Sequence, residues 1–238
     1  MKKEMELRNL KKEKTYLLAA SGGIDSMVMA DLFLKNGISF QIAHCNFSLR
    51  GEESDMDEQL VKDWCAANAI PYHTTKFDTA LYATEHSLSI QESARVLRYD
   101  YFNQLLETHQ LAQVATAHHL DDNIETVFFH FLRGTGIKGL TGIPALNGRI
   151  VRPLLHIPKE EIIAYATAHN IPYRNDSSNA KETYTRNKIR NTLLPLIEGH
   201  FPQVRQTLSS NIERFTEVNE IYQRSVETFR KKTDRVEG

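Results

Sequence analysis

The patterned part of the chain opens with an unbroken apolar run, residues 16–20, too short for a helix and without polar alternation, as a strand buried on both faces requires. The run empties into Ser21-Gly22-Gly23-Ile24-Asp25-Ser26. Met27, Val28, Ala30, Leu32, Phe33 and Leu34 then predict an almost wholly apolar helix, closed by Asn36-Gly37. Residues 40–44 predict a second strand. Strand, helix and strand within about thirty residues predict a right-handed βαβ unit and a parallel sheet. Binding then belongs at the carboxyl ends of the strands, where Ser21 and His44 fall.

Residues 46–54 are polar and turn-rich and lead into a predicted helix over 54–68, followed by a short extended piece over 70–74. The stretch 78–89 has too few apolar residues to bury itself and is expected to be mobile. Ala94, Leu97, Tyr101, Leu105 and Leu106 space a helix over 91–109, and by pattern alone Arg95 and Arg98 belong to its solvated face. Residues 111–117 predict a strand, 128–132 the end of an apolar helix, and 133–142 a loop carrying Gly134, Gly136, Gly139 and Gly142. An extended segment over 149–155 and a helix over 158–169, opened by Pro158, follow. A last helix runs from 202 to 230, with Val204, Leu208, Ile212, Phe215, Val218, Ile221 and Tyr222 in a stripe that needs a partner.

Composition adds limits. The 238 residues suit one α/β domain with a helical extension: a charged segment 1–14, a domain over 15–198, and a helical extension or linker over 199–238. With 29 Lys+Arg against 30 Asp+Glu no global field draws the protein to nucleic acid, so any such contact must come from local patches. Cys45 and Cys65 form no CxxC pair and read as structural thiols in a reducing compartment. The start is charged and no run reaches membrane-spanning length, so the expectation is a cytoplasmic protein without a membrane partner.

Three clusters carry candidate chemistry. The turn of Ser21, Gly22, Gly23, Ile24, Asp25 and Ser26 aims free amides and a helix dipole at one point, which suits a phosphate, yet it matches neither GxxxxGK[ST] nor GxGxxG. The second is His118-His119-Leu120-Asp121-Asp122-Asn123-Ile124-Glu125, more titratable groups than a structural turn needs. If Asn123 begins a helix, Asp122 lies near its N-cap and Glu125 one turn inside; a capping box explains that pair but not His118, His119 or Asp121. Adjacent histidines lack the i, i+4 spacing of a helical zinc motif, which disfavours zinc. The third is Arg186 and Arg190, four apart on one predicted helix face with Lys188 nearby, suited to phosphates or to plain solvation.

Taken together, the ordered motifs resemble the tRNA(Ile)-lysidine synthetases of the ATP pyrophosphatase (PP-loop) family. Ser21 to Ser26 match the SGGxDS loop, and Leu49-Arg50-Gly51-Glu52-Glu53-Ser54-Asp55 the LRGEESD segment. Ala94-Arg95 with Arg98-Tyr99 match ARxxRY, and the run from Ala117 to Thr126 matches AHHxDDxxET. Leu132-Arg133-Gly134-Thr135-Gly136 resembles LRGSG. Asp176-Ser177-Ser178-Asn179, with Tyr184, Arg186-Asn187 and Arg190, resembles the last pair of motifs. Phe47-Ser48 departs from the family's usual His-Gly, and the family's C-terminal domains are not recognisable.

The resemblance implies an adenine nucleotide alpha hydrolase-like fold, a parallel twisted sheet with helices on both faces. It implies conversion of the wobble cytidine of a CAU-anticodon isoleucine tRNA to lysidine, with ATP, Mg²⁺ and free L-lysine. Residues 21–26 and His44 would hold ATP, and Asp25 would also sit near Mg²⁺. Asp25, Asp122, Glu125 and Arg186 would be catalytic. His118, His119, Asp121, Arg50, Arg95 and Arg190 would face lysine or tRNA. A related tRNA thiolase, an amide-forming synthetase or a non-catalytic ATP-binding fragment are the alternatives, and a dimer is left open.

Overall fold

A computed structural model describes residues 7, 10–174 and 185–233, without the side chains of 185, 186, 232 and 233. The predicted turn cluster over 175–179 and Tyr184 lie outside the described residues, as does the Arg186 side chain.

In chain order the elements are β1 (Tyr16–Ala19), α1 (Ile24–Lys35), β2 (Phe40–Asn46), α2 (Glu52–Ala67), β3 (Tyr72–Lys76), α3 (Thr79–His86), α4 (Ile90–Thr108) and β4 (Val114–Ala115). There follow α5 (Leu120–Arg133), α6 (Ile137–Leu140), β5 (Leu146–Asn147), β6 (Ile150–Val151), α7 (Lys159–Ala168), α8 (Thr185–Lys188), a π turn over Ile189–Leu193, α9 (Leu194–His200) and α10 (Val204–Thr233). They divide into two compact units, Met1–His119 with Ala145–Asp176, and Leu120–Pro144 with Ser177–Gly238.

The first unit is the sheet, in the order β3-β2-β1-β4-β6-β5. β1 pairs in parallel with β2 and β4, β2 with β3, and β4 with β6; the β5 to β6 hairpin is antiparallel. Alternation along β1 supplies both faces: Tyr16 and Leu18 join Met27, Phe33, Trp64 and Ile162 in one core, while Leu17 joins Phe102, Leu106 and Val114 in another. Helices α1, α2 and α7 therefore cover one face and α4 the other. Successive strands move outward from β1 to β3, then restart on its other side at β4. The strand order thus reverses between β1 and β4, and in open α/β sheets ligands bind beyond the carboxyl ends of strands at such a point.

The second unit packs Leu120, Ile124 and Val127 of α5 against Ile189, Leu194 and Ile212. The stripe of α10 is thus only half used: Leu208 and Ile212 reach this core, whereas Val218, Ile221 and Tyr222 stay 50%, 65% and 55% exposed. No helix among the described residues is long and apolar enough to cross a membrane.

Several expectations are corrected. The polar stretch 78–89 holds a helix, α3, because Asp78 accepts from the Leu81 amide at 3.0 Å and Thr79 and Ala83 are buried; Ser87 closes it in the left-handed region. The strand expected over 111–117 shrinks to β4, which pairs only two residues with each neighbour. The extended segment over 149–155 becomes the short β6 and a turn. The glycine loop contains α6.

Candidate active site

In the first unit the loop after β1 is tied to itself. Ser26 Oγ donates to Gly23 O at 2.9 Å and accepts from the Ser21 amide at 3.2 Å, so the Ser21 hydroxyl is the donor in the 3.3 Å contact between the two side chains. Gly23 is the N-cap of α1 and has no side chain to occupy the first-turn amides, which leaves them to an anion. Gly22 adopts φ +87°, and a Cβ there would sit 3.2 Å from the Asp57 carbonyl oxygen. Residue 22 must therefore be small and left-handed at once.

Charged groups surround this loop, and three of them, Lys159, Asp57 and Arg174, are ones that the motifs did not single out. Lys159, at the start of α7, donates to Asp25, and His119 Nε2 lies 3.8 Å from the other Asp25 oxygen. The loop lacks a lysine in sequence and gains one in space. Asp57 on α2 accepts from Arg174 Nε at 2.8 Å on one oxygen and from Arg50 at 2.7 Å on the other. The Arg174 amide also donates to Gly22 O at 3.0 Å. Arg50, expected to face lysine or tRNA, thus shares Asp57 with Arg174 in a brace behind the glycine turn.

His44, at the end of β2, is buried, and its Nδ1 is 2.9 Å from Ala20 O. Burial pulls its pKa below the usual histidine range, against the opposing pull of the Ala20 carbonyl, Glu58 and Asp57. His118 Nδ1 lies 3.0 Å from Thr116 Oγ1, and His119 is buried. Arg95 is exposed and stacks on Tyr99.

Among the described residues no group of three or more His, Cys, Asp or Glu could hold a metal. Magnesium is commonly bound by one or two carboxylates plus substrate phosphates, and Asp25 fits that pattern as a single carboxylate already held by Lys159.

In the second unit the acidic helix starts earlier than expected. α5 begins at Leu120, which puts Asp121 and Asp122 inside its first turn instead of at its cap. Arg190 Nε and Nη2 donate to the two Glu125 oxygens at 2.5 Å and 2.9 Å, and Nη2 also donates to Asp122 at 3.0 Å. Arg205, which sequence reasoning missed, donates to Asp121 and, at 2.9 Å, to Glu198. Arg190 stands in the π turn, a feature frequent at functional sites. Asn123 Oδ1 accepts from the Ile143 amide at 2.6 Å, so this residue fixes the glycine loop.

A mainly parallel sheet whose strand order reverses between β1 and β4, with a lysine-free glycine turn leading from β1 into the N-terminus of α1, defines an open α/β domain of the doubly wound kind. The chain belongs to the PP-loop domain family, which matches residues 1–197. It is 42% identical over 227 residues to the tRNA(Ile)-lysidine synthase of Bacteroides thetaiotaomicron, covering 93% of this chain and 53% of that protein. The corresponding synthase of Bacillus subtilis is 36% identical over 219 residues, covering 89% of this chain and 46% of that protein. The chain spans about half the length of these curated relatives. A U34-tRNA thiolase from Methanococcus maripaludis shares the fold with a TM-score of 0.71 at 20% identity, over 89% of this chain and 76% of that one.

Proposed function

We propose that the chain performs the chemistry of a tRNA(Ile)-lysidine synthetase: ATP-dependent replacement of the C2 oxygen of the wobble cytidine, in a CAU-anticodon isoleucine tRNA, by the ε-amine of free lysine. The observation that carries this reading is the 42% identity over 227 residues, which runs through both the phosphate loop and the acidic helix.

The C2 oxygen is a poor leaving group. It attacks the α-phosphate of ATP, pyrophosphate leaves, and the oxygen becomes part of an adenylate. Loop 21–26 holds the departing pyrophosphate through its amides, with Lys159 beside Asp25 offsetting charge. Mg²⁺, bound with ATP, would supply further charge neutralisation, and Asp25 is the residue to touch it. In the second step the lysine amine adds at C2 and AMP leaves with the former carbonyl oxygen. Asp122 and Glu125 already hold a cation, Arg190, and a lysine ammonium presents the same charge to the same oxygens. They orient it and accept the proton it must lose before attack. Arg186 is assigned, by the motif it matches, to the charge of the adenylate.

A sulfur-transfer reading follows from the thiolase-like fold but finds poor support in the thiols. Burial pushes Cys45 and Cys65 up to about 12, the opposite of an activated cysteine. The test incubates the chain with ATP, a CAU-anticodon isoleucine tRNA transcript and labelled lysine. Label in RNA, with AMP and pyrophosphate in equal amounts, is expected. ADP as product, or no label under conditions where a full-length synthase is active, would refute the proposal. Asp122→Asn is expected to abolish labelling while leaving the fold intact.

A further inference from the structure

The described arginines of the first unit fall into three groups, one of which is Arg152 alone, a buried residue. Arg50, Arg149 and Arg174 all pair with carboxylates. Arg95 and Arg98 have no carboxylate partner among the described residues; both are exposed and both lie over an aromatic ring, Arg98 5.2 Å from the centre of Phe47. Unpaired guanidinium planes backed by rings are what an unstacked nucleobase beside a phosphate backbone requires.

The ring under Arg98 is itself supported. Phe47 stacks on Phe77 with centroids 5.6 Å apart and planes at 21°, and Tyr101 meets Phe77 edge-on. Phe47 follows β2 and Phe77 follows β3, whose last residues Asn46 and Lys76 are in register, so both rings stand at the carboxyl edge of the sheet that carries the phosphate loop. The backbone around them is fixed: Phe77 N–H donates to Asn46 O at 2.8 Å, and Thr79 Oγ1 to Phe47 O at 2.9 Å. Asn46 is buried and its amide donates to Asp55 and Glu58, both at 2.8 Å. The platform is therefore preorganised, which lowers the cost of ordering it on binding.

We propose that Phe47, Phe77 and Arg98 form a stacking platform for an unpaired base of single-stranded RNA, with Arg95 meeting the adjoining phosphate. The proposal rests on the RNA-substrate reading above and names the part of that substrate bound here. It also gives Phe47, where the family's usual motif has histidine, a role of its own. With a net charge of −1, the attraction must be local, and a planar cation on a ring supplies it without a large basic surface.

Binding of a fluorescein-labelled heptamer oligoribonucleotide, measured by anisotropy without ATP or lysine, tests it. Phe47→Ala is expected to weaken binding roughly tenfold. Arg98→Lys keeps the charge and loses the plane, so affinity falls while the salt dependence stays as in the native protein. An oligomer with abasic positions should bind the native chain more weakly than the intact heptamer, and Phe47→Ala should no longer distinguish the two. Equal affinities for native protein and both variants, or for intact and abasic oligomers, overturn the platform, as does a native chain that binds no heptamer. Lysine incorporation is assayed separately, so loss of the platform and loss of the catalytic reading are told apart.

Discussion

The Arg190 guanidinium lies fork-to-fork on the Glu125 carboxylate, at 2.5 Å and 2.9 Å, and that carboxylate is only 4% exposed. A charge that solvent does not reach depends on such a partner. Arg190→Ala is therefore expected to destabilise the fold by about 3 kcal/mol, because it removes two charge-assisted bonds from a buried anion. Arg190→Lys should recover only part of this, since an ammonium cannot serve both oxygens in the same geometry. Urea unfolding at neutral pH measures both; a loss below about 0.5 kcal/mol for the alanine variant would show that Glu125 is not held by this pair.

Gly22 and Gly37 both have positive φ, +87° and +62°, but only Gly22 has a close neighbour, the Asp57 carbonyl oxygen at 3.2 Å from a Cβ position. Gly22→Ala and Gly37→Ala should each cost about 1 kcal/mol for the left-handed backbone. Only Gly22→Ala should also raise the KM for ATP, because relieving the contact shifts the amides that face the phosphates. Equal ATP affinity in the two variants would remove Gly22 from the binding surface.

The brace behind that loop makes a second expectation. Asp57→Asn leaves Arg50 and Arg174 with a neutral acceptor in place of a carboxylate that takes both. Stability should fall by about 2 kcal/mol, and the KM for ATP should rise more than kcat falls, since the chemical groups are untouched. Isotherms of ATP binding to the variant check this, and an unchanged affinity would make the brace structural alone.

The strand, loop and first helix were legible because three local signals coincide there: an apolar run, a glycine pair and a capped apolar helix. α3 was not, because a side-chain cap and two buried residues hold it in place of an apolar stripe. The loop and the acidic helix could be found as clusters in sequence. Their partners could not, since Arg174 meets Asp57 across 117 positions and Lys159 meets Asp25 across 134. Such pairs arise only when α7 and the turn after it are laid against the sheet. The early start of α5 was hidden for another reason: Leu120 is buried in the second unit's core and anchors the first turn that Asp121 and Asp122 occupy.

Burial pushes both Cys45 and Cys65 up to about 12, with Arg98 opposing the shift at Cys45. An unfolded thiol ionises near 8.5. Between these values the unfolded chain has released protons that the folded chain keeps, so stability must fall as pH rises through this window. Urea midpoints are expected to drop from pH 8.5 to 10.5, and Cys65→Ala should flatten that slope. The native thiols should also react slowly with a disulfide reagent at pH 8 and quickly once unfolded. A slope unaffected by the substitution would place the alkaline sensitivity elsewhere.

The acid side belongs to His44. The Ala20 carbonyl can only accept, so the 2.9 Å contact fixes the proton on Nδ1 and leaves a lone pair on Nε2, an atom that is buried and has no hydrogen-bond partner among the described residues. Protonating Nε2 would put a charge where water does not reach, which is why burial lowers the pKa below 6.5 in spite of Glu58 and Asp57 nearby. Below that value the unfolded chain binds a proton that the folded chain refuses, and stability falls as pH falls. His44→Gln removes the titrating group, so its urea midpoint should change less than that of the native protein between pH 7 and pH 5. Imidazole nitrogen shifts should meanwhile report the Nδ1–H tautomer at pH 6. Parallel acid profiles for the two proteins, or a doubly protonated ring at pH 6, would refute the assignment.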